Sequence, residues 1–126
     1  MPRGLWLLLA LGCGGAPEDT GGADCGRRPP LTWDNFGRGF MGKHCAGCHS
    51  SLHEGDMRKG APAGVDLDTY GGVLQWVSRI EARTLSEPMT MPPGGGPSET
   101  EVANLREWLD CQVYRDAAAE AGGVGR

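Results

Sequence analysis

No apolar run in this chain is long enough to cross a bilayer. A spanning helix needs about 20 predominantly apolar residues, and the run from Leu5 to Leu11 falls far short. There is no basic block either. Lys and Arg number 12 against 16 Asp and Glu, and the formal net charge is −4. That balance speaks against nucleic acid, whose phosphates call for clustered cations. No internal repeat is visible, and no stretch alternates apolar and polar residues over the length of a strand. What remains is an all-α chain of 126 residues, enough for one small domain. Apolar residues make up only 39% of it, so a core built from a few short helices is thin and needs something to complete it.

The N-terminus reads as an export signal. Arg3 supplies a positive charge, Leu5 to Leu11 an apolar stretch, and Gly12 a small residue before Cys13. Leu9-Ala10-Leu11-Gly12-Cys13 resembles the lipobox of bacterial lipoproteins, with Ala10 where leucine is usual. The resemblance implies cleavage before Cys13 and a diacylglycerol on its sulfur. Two or three acyl chains together give stable anchoring, which one does not. The mature charge is then −5, because Arg3 is the only charged residue removed. Residues 14–24 are rich in Gly, Pro and acid and read as a flexible tether. An exported chain tolerates disulfides. Of the five cysteines, Cys25 and Cys111 flank the candidate domain and are expected either to pair or to remain two buried free thiols.

Helical periodicity appears three times. Trp33, Phe36, Phe40 and Met41 mark one face of a helix from about Trp33 to His44, with Thr32 as its cap; Gly37 and Gly39 weaken it and call for a packing reason. Tyr70, Val73, Leu74, Val77 and Ile80 form the stripe of a second helix, from Asp68 or Thr69 to about Leu85. Ser98-Glu99-Thr100-Glu101 is a capping box that opens a third helix to about Asp110, with Val102, Leu105, Trp108 and Leu109 inward. Residues 50–64 read as a loop. Residues 88–97, with four prolines and three glycines, form a stiff loop carrying Met89 and Met91.

One stretch organises the rest: Cys45-Ala46-Gly47-Cys48-His49. Two thiols spaced C-x-x-C with histidine next is the attachment pattern of c-type haem. The spacing lets each thiol form a thioether to one of the two vinyl groups, and it brings His49 under the ring as iron ligand. Small Ala46 and Gly47 let the backbone approach the porphyrin edge. Where the task is electron transfer, the opposite face of such an iron commonly takes methionine, which raises the potential. Met91, followed by Pro92-Pro93, is the candidate, with Met89 as rival.

With these residues in place, the chain resembles the class I cytochromes c over about residues 31–113. The likeness rests on Gly37 eight before Cys45, the Cys45–His49 motif, Met91-Pro92, and a terminal helix bearing Trp108. It implies an all-α, small cytochrome c-like fold of three to four short helices around one covalent haem. It also implies that the first and last helices cross at Gly37 against Leu105 and Trp108. Gly60-Ala61-Pro62 would offer a carbonyl to the free N–H of His49, and Trp76, Arg79 or Arg83 would serve as haem propionate donors. Where the family often has an aromatic four before the first cysteine, this chain has Met41, with Phe40 beside it.

The expected organisation is a signal at 1–12, a lipidated flexible tether and lead-in at 13–30, the haem domain at 31–113 and a flexible tail at 114–126. The expected role is a one-electron carrier rather than an enzyme, with His49 and Met91 on the iron. It is exported and lipid-anchored on the periplasmic or cell-surface side. It meets redox partner proteins weakly, and neither nucleic acid nor a small-molecule substrate is expected. One competing reading keeps the haem but makes the sixth ligand labile, for peroxidase or gas-sensing work. Another is a structural zinc site on Cys45, Cys48, His49 and His53. His53 and His44 otherwise read as surface histidines.

Overall fold

The computed structural model describes residues 22–123; the signal, Cys13, the first part of the tether and residues 124–126 lie outside the described residues. The described residues form helices joined by loops and turns, and contain no strand. No helix among them is long and apolar enough to cross a membrane.

Thr32 opens the first helix reciprocally with Asn35. Thr32 Oγ1 accepts the Asn35 N–H at 3.2 Å, and Asn35 Oδ1 accepts the Thr32 N–H at 2.7 Å. The first turn, Trp33–Gly37, is π-wound and runs directly into α1, Arg38–His44. A 3-10 turn, Gly55–Arg58, interrupts the long loop that follows. Thr69 caps α2, Tyr70–Thr84, by accepting the Gly72 N–H at 3.1 Å. The capping box at Ser98 is present and starts α3, Glu99–Trp108. Local signals of this kind are short-range, so they survive the transfer from sequence to fold.

The core lies where these helices meet. Phe40 and Met41 of α1, the Val73–Ile80 stripe of α2, and Leu105 and Trp108 of α3 are all buried. Gly37 has the packing reason it called for: Trp108 lies against it, at a distance no Cβ would tolerate. Trp33, Phe36 and Tyr70 surround the same indole, with ring centroids 5.8 to 6.3 Å away. Gly39 has no such reason, since its Cβ direction is open.

Two expected boundaries move. The third helix does not stop near Asp110. It passes through a π-wound turn, Leu109–Val113, into α4, Tyr114–Gly123, which occupies most of the expected tail. Leu109 and Val113 are fully buried, and the Tyr70 hydroxyl donates to Asp116 at 2.7 Å. Tyr114 donates likewise to Glu81. These ties to α2, added to the alanine run at 117–119, carry the helix onward. At the other end, Cys25 and Cys111 come to disulfide distance, with Cα atoms 5.5 Å apart. Arg27 Nε sits 2.8 Å from Glu107, and the Ala23 N–H reaches Asp110 at 3.3 Å. The end of the expected tether is therefore held against α3.

Candidate functional site

Cys45 follows directly on α1, and the chain turns sharply there. The amides of Cys45 and Ala46 both donate to the Met41 carbonyl, at 2.9 and 2.8 Å. Those of Cys48 and His49 then converge on the Cys45 carbonyl, at 3.1 and 2.9 Å. Two thiols and one imidazole are thus mounted on a single hydrogen-bonded turn at a helix end. Gly47 has open space around it. Burial pushes the Cys45 thiol up to about 12.

His49 is fixed on both sides. Its carbonyl accepts the Leu67 N–H at 2.8 Å, and its Nδ1 lies 3.0 Å from the Val65 carbonyl. A carbonyl can only accept, so Nδ1 carries the proton and Nε2 keeps the free lone pair. That is the tautomer a metal ligand needs. The acceptor is Val65, not the expected Gly60-Ala61-Pro62 segment. The reason is physical: the bond from the Leu67 N–H to the His49 carbonyl brings the end of the loop, not its middle, beside the ring, while the Ala61 and Pro62 carbonyls accept from Arg58 at 3.2 and 2.8 Å. Arg58 is itself buried. Sequence reasoning missed it, and the signal was there: one arginine inside a Gly- and Pro-bearing loop whose carbonyls have no helix or strand to pair with.

A cavity of about 330 Å³ opens beside the turn, walled by Phe40, Cys45, Met89, Met91, Val102 and Leu105 among others. The 88–97 loop forms one side. Its position is set by the Arg83 carbonyl, which accepts the N–H groups of Thr90 and Met91 at 2.9 and 3.0 Å. Both methionines are partly open to solvent, Met89 at 53% and Met91 at 39%. The fold therefore brings Cys45, Met89 and Met91 to one cavity, which Cys48 and His49 do not line.

The other expected residues fall differently. Trp76 Nε1 already donates to the Gly64 carbonyl at 3.1 Å, which occupies the donor expected for a propionate. Arg79 and Arg83 are exposed on α2. His44 is not a surface histidine: its side chain is 7% exposed, and Nε2 meets Glu101 at 3.1 Å. Lys43 reaches the same carboxylate at 2.8 Å. Lys43, the Ser98 backbone and His44 hold the Glu101 carboxyl well below the usual range. His53 Nδ1 is buried without a partner among the described residues. No group of three or more His, Cys, Asp or Glu side chains is gathered to hold a metal ion among the described residues.

No protein-family model, no curated protein and no solved structure matches this chain.

Proposed function

We propose that this chain is a one-electron carrier: a small, class I-like cytochrome c with one covalent haem, held at a membrane by a lipid on Cys13. The observation that carries the reading is one cavity lined from two distant parts of the chain. Cys45, the first thiol of the attachment motif, and Met91, the candidate sixth ligand, line it together although far apart in sequence. The donor set fits the group. Cys45 and Cys48 are free thiols, His49 presents Nε2, and Phe40 and Leu105 offer apolar surface to a porphyrin face. Haem c bound there supplies a ferric/ferrous couple.

The chain's own residues hold that couple in place. Val65 orients the His49 ring through Nδ1–H. The backbone anchors at Arg83 keep Met91 at the cavity wall. Phe40 and Leu105 line it with apolar surface. No substrate chemistry is assigned. Docking of redox partners is weak and uses a small interface, and the acidic surface favours a basic partner patch with salt-sensitive on-rates. The cysteine inventory supports an exported location, where Cys25–Cys111 can persist.

A second reading draws on one observation, the solvent exposure of Met91. An exposed sixth ligand is more easily displaced, which suits peroxidase or gas-sensing work. Absorption spectra of the purified exported protein, oxidised and reduced, test both. A six-coordinate ferric protein that resists carbon monoxide when reduced supports the carrier. Rapid carbon monoxide binding supports the sensor. A haem stain on a denaturing gel that survives Cys45→Ala and Cys48→Ala overturns the attachment reading altogether. Cys13→Ser releases the protein from membranes if the lipid is real.

A further inference from the structure

Arg58 is 6% exposed, and its guanidinium meets five backbone carbonyls. Nε donates to Ala61 at 3.2 Å. Nη1 donates to Ser50 at 2.7 Å and to His53 at 3.2 Å. Nη2 donates to Pro62 at 2.8 Å and to Val65 at 3.0 Å. Asp66 Oδ1 lies 2.9 Å from Nη1 and balances the charge. A loop without regular structure leaves its carbonyls unpaired, and unpaired carbonyls are costly to bury. Here one planar fork with five N–H donors meets five of them together, which an ammonium cannot do; the Ser50 and Pro62 carbonyls also accept the His53 and Val65 N–H groups. One of the five is the carbonyl that also accepts His49 Nδ1–H.

We propose that Arg58 is the positioning residue of His49: by anchoring the Val65 carbonyl they share, it holds the acceptor of the imidazole N–H in place and so fixes the ring and its tautomer. The guanidinium is the stronger, charge-assisted donor. It keeps the carbonyl where His49 Nδ1–H can bond to it, and a well-made bond at Nδ1 leaves the ring a more basic ligand. Asp66 beside the guanidinium makes the pair neutral, so the effect runs through the hydrogen bond rather than through a net buried charge. The consequence for redox potential rests on the haem reading above; the placement of His49 does not.

The test uses the full exported chain and two measurements. The first is the exchange of the His49 Nδ1 proton with water, followed by NMR in whatever haem state the protein is isolated. Arg58→Lys keeps the cation but loses the fork, and loss of one charge-assisted bond is expected to speed exchange roughly tenfold. Arg58→Met speeds it further; if that variant does not fold, Arg58→Lys decides. Asp66→Asn leaves all five carbonyl bonds and is expected to leave exchange unchanged. The second measurement is the ferric/ferrous equilibrium. Arg58→Lys is expected to shift it about tenfold towards ferrous, 59 mV for one electron, with the spectrum of methionine ligation retained. Unchanged exchange in a folded Arg58 variant overturns the proposal. So does a wild-type His49 protonated at Nε2, or an Asp66→Asn effect as large as that of Arg58→Lys. A chain isolated without covalent haem ends the carrier reading, and proton exchange then decides the role of Arg58 alone.

Discussion

A Cβ atom on Gly37 would lie 2.3 Å from Cζ2 of Trp108 and 2.5 Å from Cη2. Trp108 is fully buried and rings of three other aromatics lie around it, so it has nowhere to retreat. Gly37→Ala is expected to destabilise the fold by about 1–3 kcal/mol through overpacking. Gly39→Ala is the internal control. Its Cβ meets open space, and the gain in helix propensity is expected to stabilise by up to about 1 kcal/mol. Denaturant unfolding of the two variants reads both signs.

Glu101 gives the fold an acid-sensitive joint between α1 and α3. Lys43, the Ser98 backbone and His44 hold its carboxyl well below the usual range. A folded-state value below the unfolded one adds stability above the unfolded value, about 4.3 for glutamate, and loses it as pH falls towards the folded value. Asp68 acts with the same sign. Burial pushes its carboxyl up, and hydrogen bonds from Ser51 and Ser50 more than offset this. Melting temperature is therefore expected to fall as the solution is acidified below about pH 4. Glu101→Gln keeps the capping box and is expected to flatten that fall. An unchanged profile in Glu101→Gln and Asp68→Asn together would assign the acid loss elsewhere.

How much of this was legible depends on range. Thr32, Thr69 and Ser98 act on amides a few residues away, and each caps the helix that its sequence announces. The contact of Gly37 with Trp108 was legible through the resemblance, since nothing in the local pattern joins the two. The partner of His49 was not. Choosing Val65 over Pro62 depends on which part of the loop the Leu67–His49 backbone bond brings beside the ring, which is settled only when the loop closes. His44 was misread for a related reason: Glu101, which covers it, arrives from another helix. The helix past Asp110 was missed because its support, Tyr70 and Glu81, lies on α2.

Cys45 has a thiol pushed up to about 12 by burial, and only the thiolate attacks an alkylating agent. In chain made without haem attachment, alkylation of the Cys45 peptide is expected to keep accelerating well above about pH 9, where an ordinary thiol levels off. Mass mapping reads that peptide directly. A plateau near pH 9 would show a solvated thiol. In the exported protein, the haem reading predicts no alkylation of Cys45 or Cys48 at any pH.

The pair Cys25–Cys111 closes a loop of sequence separation 86. Chain entropy assigns such a closure about 4–5 kcal/mol. The double variant Cys25→Ala/Cys111→Ala is expected to lose stability of that order in denaturant unfolding. It also frees the segment at Ala23 and Arg27, so proteolysis there accelerates. Equal stability of oxidised and reduced wild type would show that α3 holds the segment without the bond.

Met91 and Met89 line the same cavity, and backbone anchoring separates them. The Met91 amide and the Thr90 amide before it are both bonded to the Arg83 carbonyl, whereas Met89 lies upstream of these anchors and is the more exposed. A ligand held at its own backbone loses less freedom on binding iron, which favours Met91. Met91→Ala is expected to lower the potential by on the order of tenths of a volt, within the span that axial ligands command, and to admit carbon monoxide to the ferrous form. Met89→Ala is expected to change neither. The reverse pattern moves the sixth ligand to Met89. No response from either variant removes methionine from the iron and leaves the labile-ligand reading as the better account of the cavity.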